Sequence, residues 1–241
     1  MVSLANHFLA TNYYLFVNIV HIIKGMKLNK ELRLPVVFAC ITYLLSYQVP
    51  KWFEDISKAY SPSIALDHKI PFVPLFMIIY VLAFFQWINA LLVIMHSKKE
   101  TGYKCCSAIM IGSLIGFVIF LVYPTTIVGR PTPEPDSLLN IFVNFIFSYD
   151  TPTNAFPSFH CFCSTISVFA IKEAINNKKY TIFNCVFSIL VFASTLFTKQ
   201  HFIIDVPGGI ILAIFSIYIT KYINFNKLFN YLNTKFKQLS H

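Results

Sequence analysis

PSFHCFCSTISVFAIKEAINNKKYTIFNCVFSILVFASTLFTKQHFIIDVPGG, residues 157–209, is the stretch on which the reading of the chain turns. A histidine, His160, stands near its start and a second, His201, near its end, with apolar segments between them. His201 and Asp205 are four residues apart, the spacing that places two side chains on one helix face. Upstream, Gly129-Arg130-Pro131 contributes the one arginine beyond Arg33. Ionisable groups in or beside membrane segments are expensive, so such a set reads first as a functional site.

The setting follows from composition. The 241 residues are 56% hydrophobic and 12% charged, whereas about a quarter of a soluble domain is charged, and mean hydropathy is +0.65. These values predict an all-α polytopic membrane bundle of about six spans, each of roughly 20 residues. They leave no room for a separate soluble domain, so residues 1–241 read as one integral membrane domain. The net charge of +9 is spread between hydrophobic segments, which argues against nucleic acid as a partner. All six cysteines fall inside expected spans without metal-ligand spacing, so neither a disulfide framework nor a metal site is expected.

Spans are expected at residues 34–52, 71–96, 104–123, 158–175, 181–198 and 202–220. The apolar run at residues 8–23 is broken by Asn12, Asn18 and His21. It reads as an interfacial helix or a further span and not as a cleaved signal peptide. In the connection at residues 124–157, Leu138, Leu139, Phe142, Phe145 and Ile146 recur at helical spacing and predict a short interfacial helix. The tail, residues 221–241, alternates Phe225, Leu228, Phe229, Leu232 and Phe236 with lysines, as a basic amphipathic helix on a membrane surface does. With the N-terminus inside, most lysines fall on the cytoplasmic side. Arg130, His160 and His201 then share the non-cytoplasmic face, and the expected location is the plasma membrane.

These groups suit phosphoryl transfer. Arginine offers a planar fork of donors to phosphate oxygens. Ser158, at the N-cap of a span, can hold an anion with its hydroxyl and the free N–H groups beside it. One histidine can attack phosphorus while another protonates the leaving oxygen, and an acid one turn away fixes the tautomer of the nucleophile. His201 with Asp205 fits the nucleophile and its orienter, His160 fits the acid, and no metal or other cofactor is needed.

Order and spacing resemble the type 2 phosphatidic acid phosphatase (PAP2) superfamily, whose signatures read KxxxxxxRP, PSGH and SRxxxxxHxxxD. Here Tyr123 precedes Arg130-Pro131 by six intervening residues, Pro157 to His160 reads PSFH, and Ser194-Thr195 precedes His201 and Asp205. The resemblance covers residues 123–209. It implies His201 as nucleophile, Asp205 as its partner, His160 as general acid, and Arg130, Ser158 and Ser194 as phosphate ligands. It also implies a lipid phosphomonoester or diphosphate as substrate. Tyr123, Phe159 and Thr195 stand where the family has lysine, glycine and arginine, so two phosphate-binding cations are missing. Lys199 would replace one if residues 199–201 were extended, since alternate side chains then point the same way. A weaker similarity, carried by YPTTIVGRP and TKQHFIIDVPGG, runs to the inositol-phosphotransferase branch of the superfamily.

Simpler readings stand beside each assignment. A lone membrane histidine is a polar packing contact, Arg130 a snorkelling anchor, Ser158 a helix cap and Ser194 a helix–helix contact. Tyr123 and Phe159 read as packing aromatics. At the level of function, hydrolysis of a lipid phosphate is the first expectation and transfer of a phospho-head group between lipids the second. A metal hydrolase with His160, His201 and Asp205 as ligands, and an inactive lipid-binding protein, are the remaining classes.

Overall fold

Polar residues punctuate the chain, and several of its helices begin at them. A computed structural model describes residues 28–53 and 58–239; the apolar run at residues 8–23 lies outside them. The helices are α1 (Arg33–Lys51), α2 (Phe76–Met95), α3 (Lys99–Val122), α4 (Leu138–Tyr149), α5 (Phe159–Ile175), α6 (Lys178–Phe197), α7 (Asp205–Ile219) and α8 (Asn226–Leu239). No strand occurs among the described residues. Ser137, Ser158 and Asn177 cap α4, α5 and α6, each accepting a backbone N–H from the first turn, as their short polar side chains favour.

The architecture is that of a helical membrane bundle. Residues 30–51, α2, α3 and α6 are long and apolar enough to cross a membrane. Of the six expected spans, the other two correspond to shorter helices. α5 has 17 residues and α7 has 15; at 1.5 Å per residue they are about 26 and 23 Å long, against a hydrocarbon core of about 30 Å. Two boundaries also shift. α2 starts after the expected Pro71: Pro74 disfavours helical backbone at Val73, whose N–H donates to the Phe197 carbonyl at 2.9 Å. α3 starts at Lys99, before the expected Lys104, and its polar first turns find partners: Lys99 pairs with Glu31 at 2.7 Å and Lys104 with Glu173 at 3.2 Å.

α5 is the hub. It packs on α2, α3, α6 and α7, while α1 lies along α3. Small residues permit the close approaches. A Cβ on Gly112 would stand 2.2 Å from the Phe162 ring, and one on Gly209 would stand 2.2 Å from the Ser158 carbonyl oxygen. Within the bundle, Gln86 Nε2 donates to Ser188 Oγ (2.9 Å) and Trp87 Nε1 to Ser164 Oγ (3.1 Å), tying α2 to α6 and α5. Such bonds between membrane helices average about 0.6 kcal/mol each, so apolar packing stabilises the bundle more than they do. Large side chains such as Leu45, Phe85, Ile189 and Ile211 face outward, as they do on a lipid-facing surface.

The connections at one end of the bundle form a single polar cap. Tyr60 bridges to Thr125 and Thr126 to Thr153, so two loops distant in sequence are joined. The expected interfacial helix is α4, which packs Val143 against Met77 and Tyr80. At the other end, α8 buries Phe229 against Tyr103 and bonds Asn233 Nδ2 to the Glu31 carbonyl at 2.8 Å. Leu228 and Phe236 remain exposed on it.

Candidate active site

α6 ends at Phe197 and α7 starts at Asp205, and the turn between them presents His201. The N–H groups of Gln200 and His201 both return to the Thr195 carbonyl, at 3.0 and 3.1 Å. Asp205 is fully buried, and its Oδ2 accepts Phe202 N–H at 2.8 Å. The Asp205 carbonyl accepts Ser158 N–H at 3.1 Å, which pins the start of α7 to the start of α5.

The imidazole of His201 is held by acceptors on one side. Its Nδ1 lies 2.9 Å from the Ala155 carbonyl and 3.3 Å from Asp205 Oδ2. Two acceptors at Nδ1 place the ring hydrogen there, leaving Nε2 with its lone pair. His160, one residue into α5, stacks on Tyr80 with 4.0 Å between ring centroids and lies 5.0 Å from Trp87. Its Nε2 is buried without a protein partner. The two imidazole centroids are 6.2 Å apart. The two rings therefore stand on opposite sides of a space narrow enough for one small group to touch both.

Arg130 follows Gly129, whose φ of +76° is the left-handed conformation that glycine adopts freely. The guanidinium lies 4.7 Å over the Phe147 ring of α4. Nη1 donates to the Asp150 carbonyl at 2.7 Å and Nη2 to Gln200 Oε1. Burial draws the guanidinium pKa down and the Asp150 charge opposes this. Arg130 Nε and Gln200 Nε2 are buried donors without a protein partner. Asp150 accepts from Tyr47 Oη at 2.9 Å and from Tyr80 Oη. Burial raises its carboxyl pKa, but the His160 charge, the two tyrosine hydroxyls and Lys51 together hold it below the ordinary value.

A cavity of about 270 Å³ opens beside the two histidines and Asp150. His160, His201, Asp150, Gln48 and Lys51 line its polar side, and Leu44, Val81 and Phe84 its apolar side. Tyr43, Leu44 and Phe84 also line an adjoining, almost wholly apolar cavity of about 210 Å³ between the helices.

Ser158, Ser194 and Lys199 do not line the cavity shared by the two histidines. Ser158 is the N-cap, its Oγ accepting Cys161 N–H at 3.3 Å. Ser194 donates its hydroxyl to the Val191 carbonyl at 2.7 Å, inside its own helix. Lys199 is not extended: its φ is +56°, and its ammonium donates to the carbonyls of Asp67 (2.9 Å) and Ile70. The alternation that would have set Lys199 beside His201 therefore does not arise. Among the family departures, Thr195 turns its hydroxyl to the Phe192 carbonyl, and Tyr123 packs near Tyr60 and Phe156. Phe159 is buried among Tyr43, Tyr47, Phe120 and Phe162.

Sequence reasoning did not single out Gln200, Tyr80, Asp67 or a site role for Asp150. Gln200 had one local signal, its position beside His201; the others act through contacts distant in sequence. Among the described residues, no three His, Cys, Asp or Glu side chains are grouped so as to hold a metal ion.

A family model described as the PAP2 superfamily matches residues 57–219, ending with α7. No curated protein and no solved structure matches the chain.

Proposed function

The chain belongs to the PAP2 superfamily, and on that premise we propose that it is a membrane phosphatase acting on a lipid phosphomonoester or diphosphate through a phosphohistidine, without a metal. One observation carries the reading: His201, with Nδ1 committed to Ala155 and Asp205, faces His160 across 6.2 Å at the wall of a cavity that continues into an apolar one. A phosphate head at the histidines and an acyl or prenyl chain in the apolar extension would fill both.

In the proposed reaction, His201 Nε2 attacks phosphorus, the bond from phosphorus to the leaving oxygen breaks, and His160 gives that oxygen a proton. Water then attacks phosphorus, His160 takes a proton from it, the bond from phosphorus to Nε2 breaks, and phosphate leaves. Arg130 meets the charge on the phosphoryl oxygens, with Gln200 beside it as a neutral donor. With the N-terminus inside, the site faces the non-cytoplasmic side and serves that leaflet.

A second reading, transfer to another lipid, is favoured by the polar wall of the cavity. Asp150, Gln48 and Lys51 stand beside the histidines and suit the hydroxyl of an acceptor.

Purified protein given phosphatidic acid, phosphatidylglycerol phosphate and polyprenyl diphosphate tests both. Release of phosphate from at least one, without a chelator effect, is expected for the phosphatase. Label passing mainly into a new lipid would replace hydrolysis by transfer. No turnover or transfer with any substrate class would count against an enzyme.

A further inference from the structure

We propose that Asp67 and Lys199 form a clamp that positions His201; this rests on the phosphohistidine reading. The turn Asp67–Lys69 belongs to the loop between α1 and α2, distant in sequence from the nucleophile, yet it grips the chain on both sides of His201. Asp67 is nearly fully buried, and its Oδ1 accepts Ile203 N–H at 2.8 Å while its Oδ2 accepts Ile64 N–H at 2.8 Å. In the opposite direction, Lys199 Nζ reaches across to the Asp67 carbonyl at 2.9 Å and to that of Ile70. A third tie, from Val73 N–H to the Phe197 carbonyl at 2.9 Å, closes the seam. His201 thus sits in a segment fixed at positions 197, 199 and 203 by one loop.

The backbone explains why the clamp is more than packing. Lys199 follows the end of α6 with φ +56°, a position where helices commonly place glycine because other side chains are strained there. A lysine in that conformation is accounted for by what its ammonium holds. Asp67, Lys199 and His201 also line one small cavity of about 60 Å³ together with Gly129, the neighbour of Arg130. The clamp therefore adjoins both the nucleophile and the loop carrying the phosphate-binding arginine. Neither residue reaches the proposed reacting atoms; they are positioning residues.

Lys199→Gly separates positioning from stability, because glycine relieves the backbone strain while removing the ammonium. The full chain in detergent is compared as wild type, Lys199→Gly, Lys199→Arg and Asp67→Asn, by melting temperature, by orthovanadate binding and by diethyl pyrocarbonate labelling of His201 read by peptide mass. Lys199→Gly is expected to melt no lower than wild type, bind orthovanadate at least about tenfold more weakly and label faster at His201, since a displacement near 1 Å is worth about a hundredfold in rate. Lys199→Arg, which keeps charge and donors, should stay within about threefold of wild type on both probes. Asp67→Asn, which turns an acceptor into a donor, should follow Lys199→Gly in vanadate binding and labelling. Unchanged vanadate binding and His201 labelling in Lys199→Gly and Asp67→Asn would overturn the clamp. If wild type itself binds no orthovanadate, the phosphohistidine reading fails, and His201 labelling still decides for or against the clamp.

Discussion

Phe159 lies against the bare α-carbon of Gly116, and a Cβ built there would stand 2.4 Å from its ring. Phe159 occupies the glycine position of the PSGH signature, and Gly116 supplies the space that the larger side chain needs. Tyr43, Tyr47, Phe120 and Phe162 surround the ring, so it has no direction in which to yield. Gly116→Ala is expected to destabilise by about 1–3 kcal/mol through overpacking, with partial recovery in Gly116→Ala/Phe159→Leu. Thermal melting in detergent measures both, and an unchanged Gly116→Ala melting temperature would show that the ring can move.

His201→Ala should lose more than about 10⁴-fold in turnover, since the nucleophile itself is gone. Asp205→Asn should lose about 10²-fold, because the Ala155 carbonyl still holds Nδ1 and an amide oxygen can still accept Phe202 N–H. Trapping of labelled phosphate on wild type and not on His201→Ala is the direct check. Turnover of His201→Ala near that of wild type would place the nucleophile elsewhere.

Arg130→Lys is expected to fall by about 10²-fold in kcat/KM although charge is kept. The guanidinium spans two acceptors, the Asp150 carbonyl and Gln200 Oε1, and a single ammonium cannot reproduce that fork. Gln200→Met should weaken substrate binding less, by removing one neutral donor. Equal kinetics for Arg130→Lys and wild type would show that only charge is needed.

The Asp150 carboxyl titrates below its ordinary value in the folded chain. A depressed folded pKa stabilises the fold above the unfolded value of about 3.8, and this contribution disappears as pH falls through the folded pKa. Wild type is therefore expected to melt above Asp150→Asn at neutral pH, with the gap closing as pH falls below the ordinary carboxylate range. A gap that persists unchanged well below that range would mean that Asp150 is not held ionised by its surroundings.

For topology, cysteines at Glu134 and Lys178, both exposed, are introduced after replacement of the native cysteines. With the site facing away from the cytoplasm, Glu134→Cys reacts with an impermeant reagent in intact cells and Lys178→Cys only after permeabilisation. The opposite pattern would move the site to the other leaflet.

The helices are largely legible in the sequence, because hydrophobic runs bounded by lysine, asparagine and proline fix where a membrane helix can lie. The His201–Asp205 pair is legible for a similar reason, its spacing being local. Lys199 is not, because its expected place beside His201 requires an extended backbone, and one left-handed residue reverses where a side chain points. Asp67 acts on Ile203 across 136 residues, and Tyr80 reaches Asp150 across 70. No periodicity in the chain marks such pairs, which become visible only once the connecting loops are folded onto the helix ends.

Of the helices at the six expected spans, α5 and α7 are the two shortest, and both begin at the histidine site. Where a helix is shorter than the hydrocarbon around it, the bilayer thins locally or the helix end sits below the interface. The depth of His160 and His201 is thus set by the host lipid as well as by the protein. In a membrane of longer acyl chains the phosphate must sink further from its hydration layer to reach Arg130, so turnover should fall with bilayer thickness even where every catalytic distance is preserved.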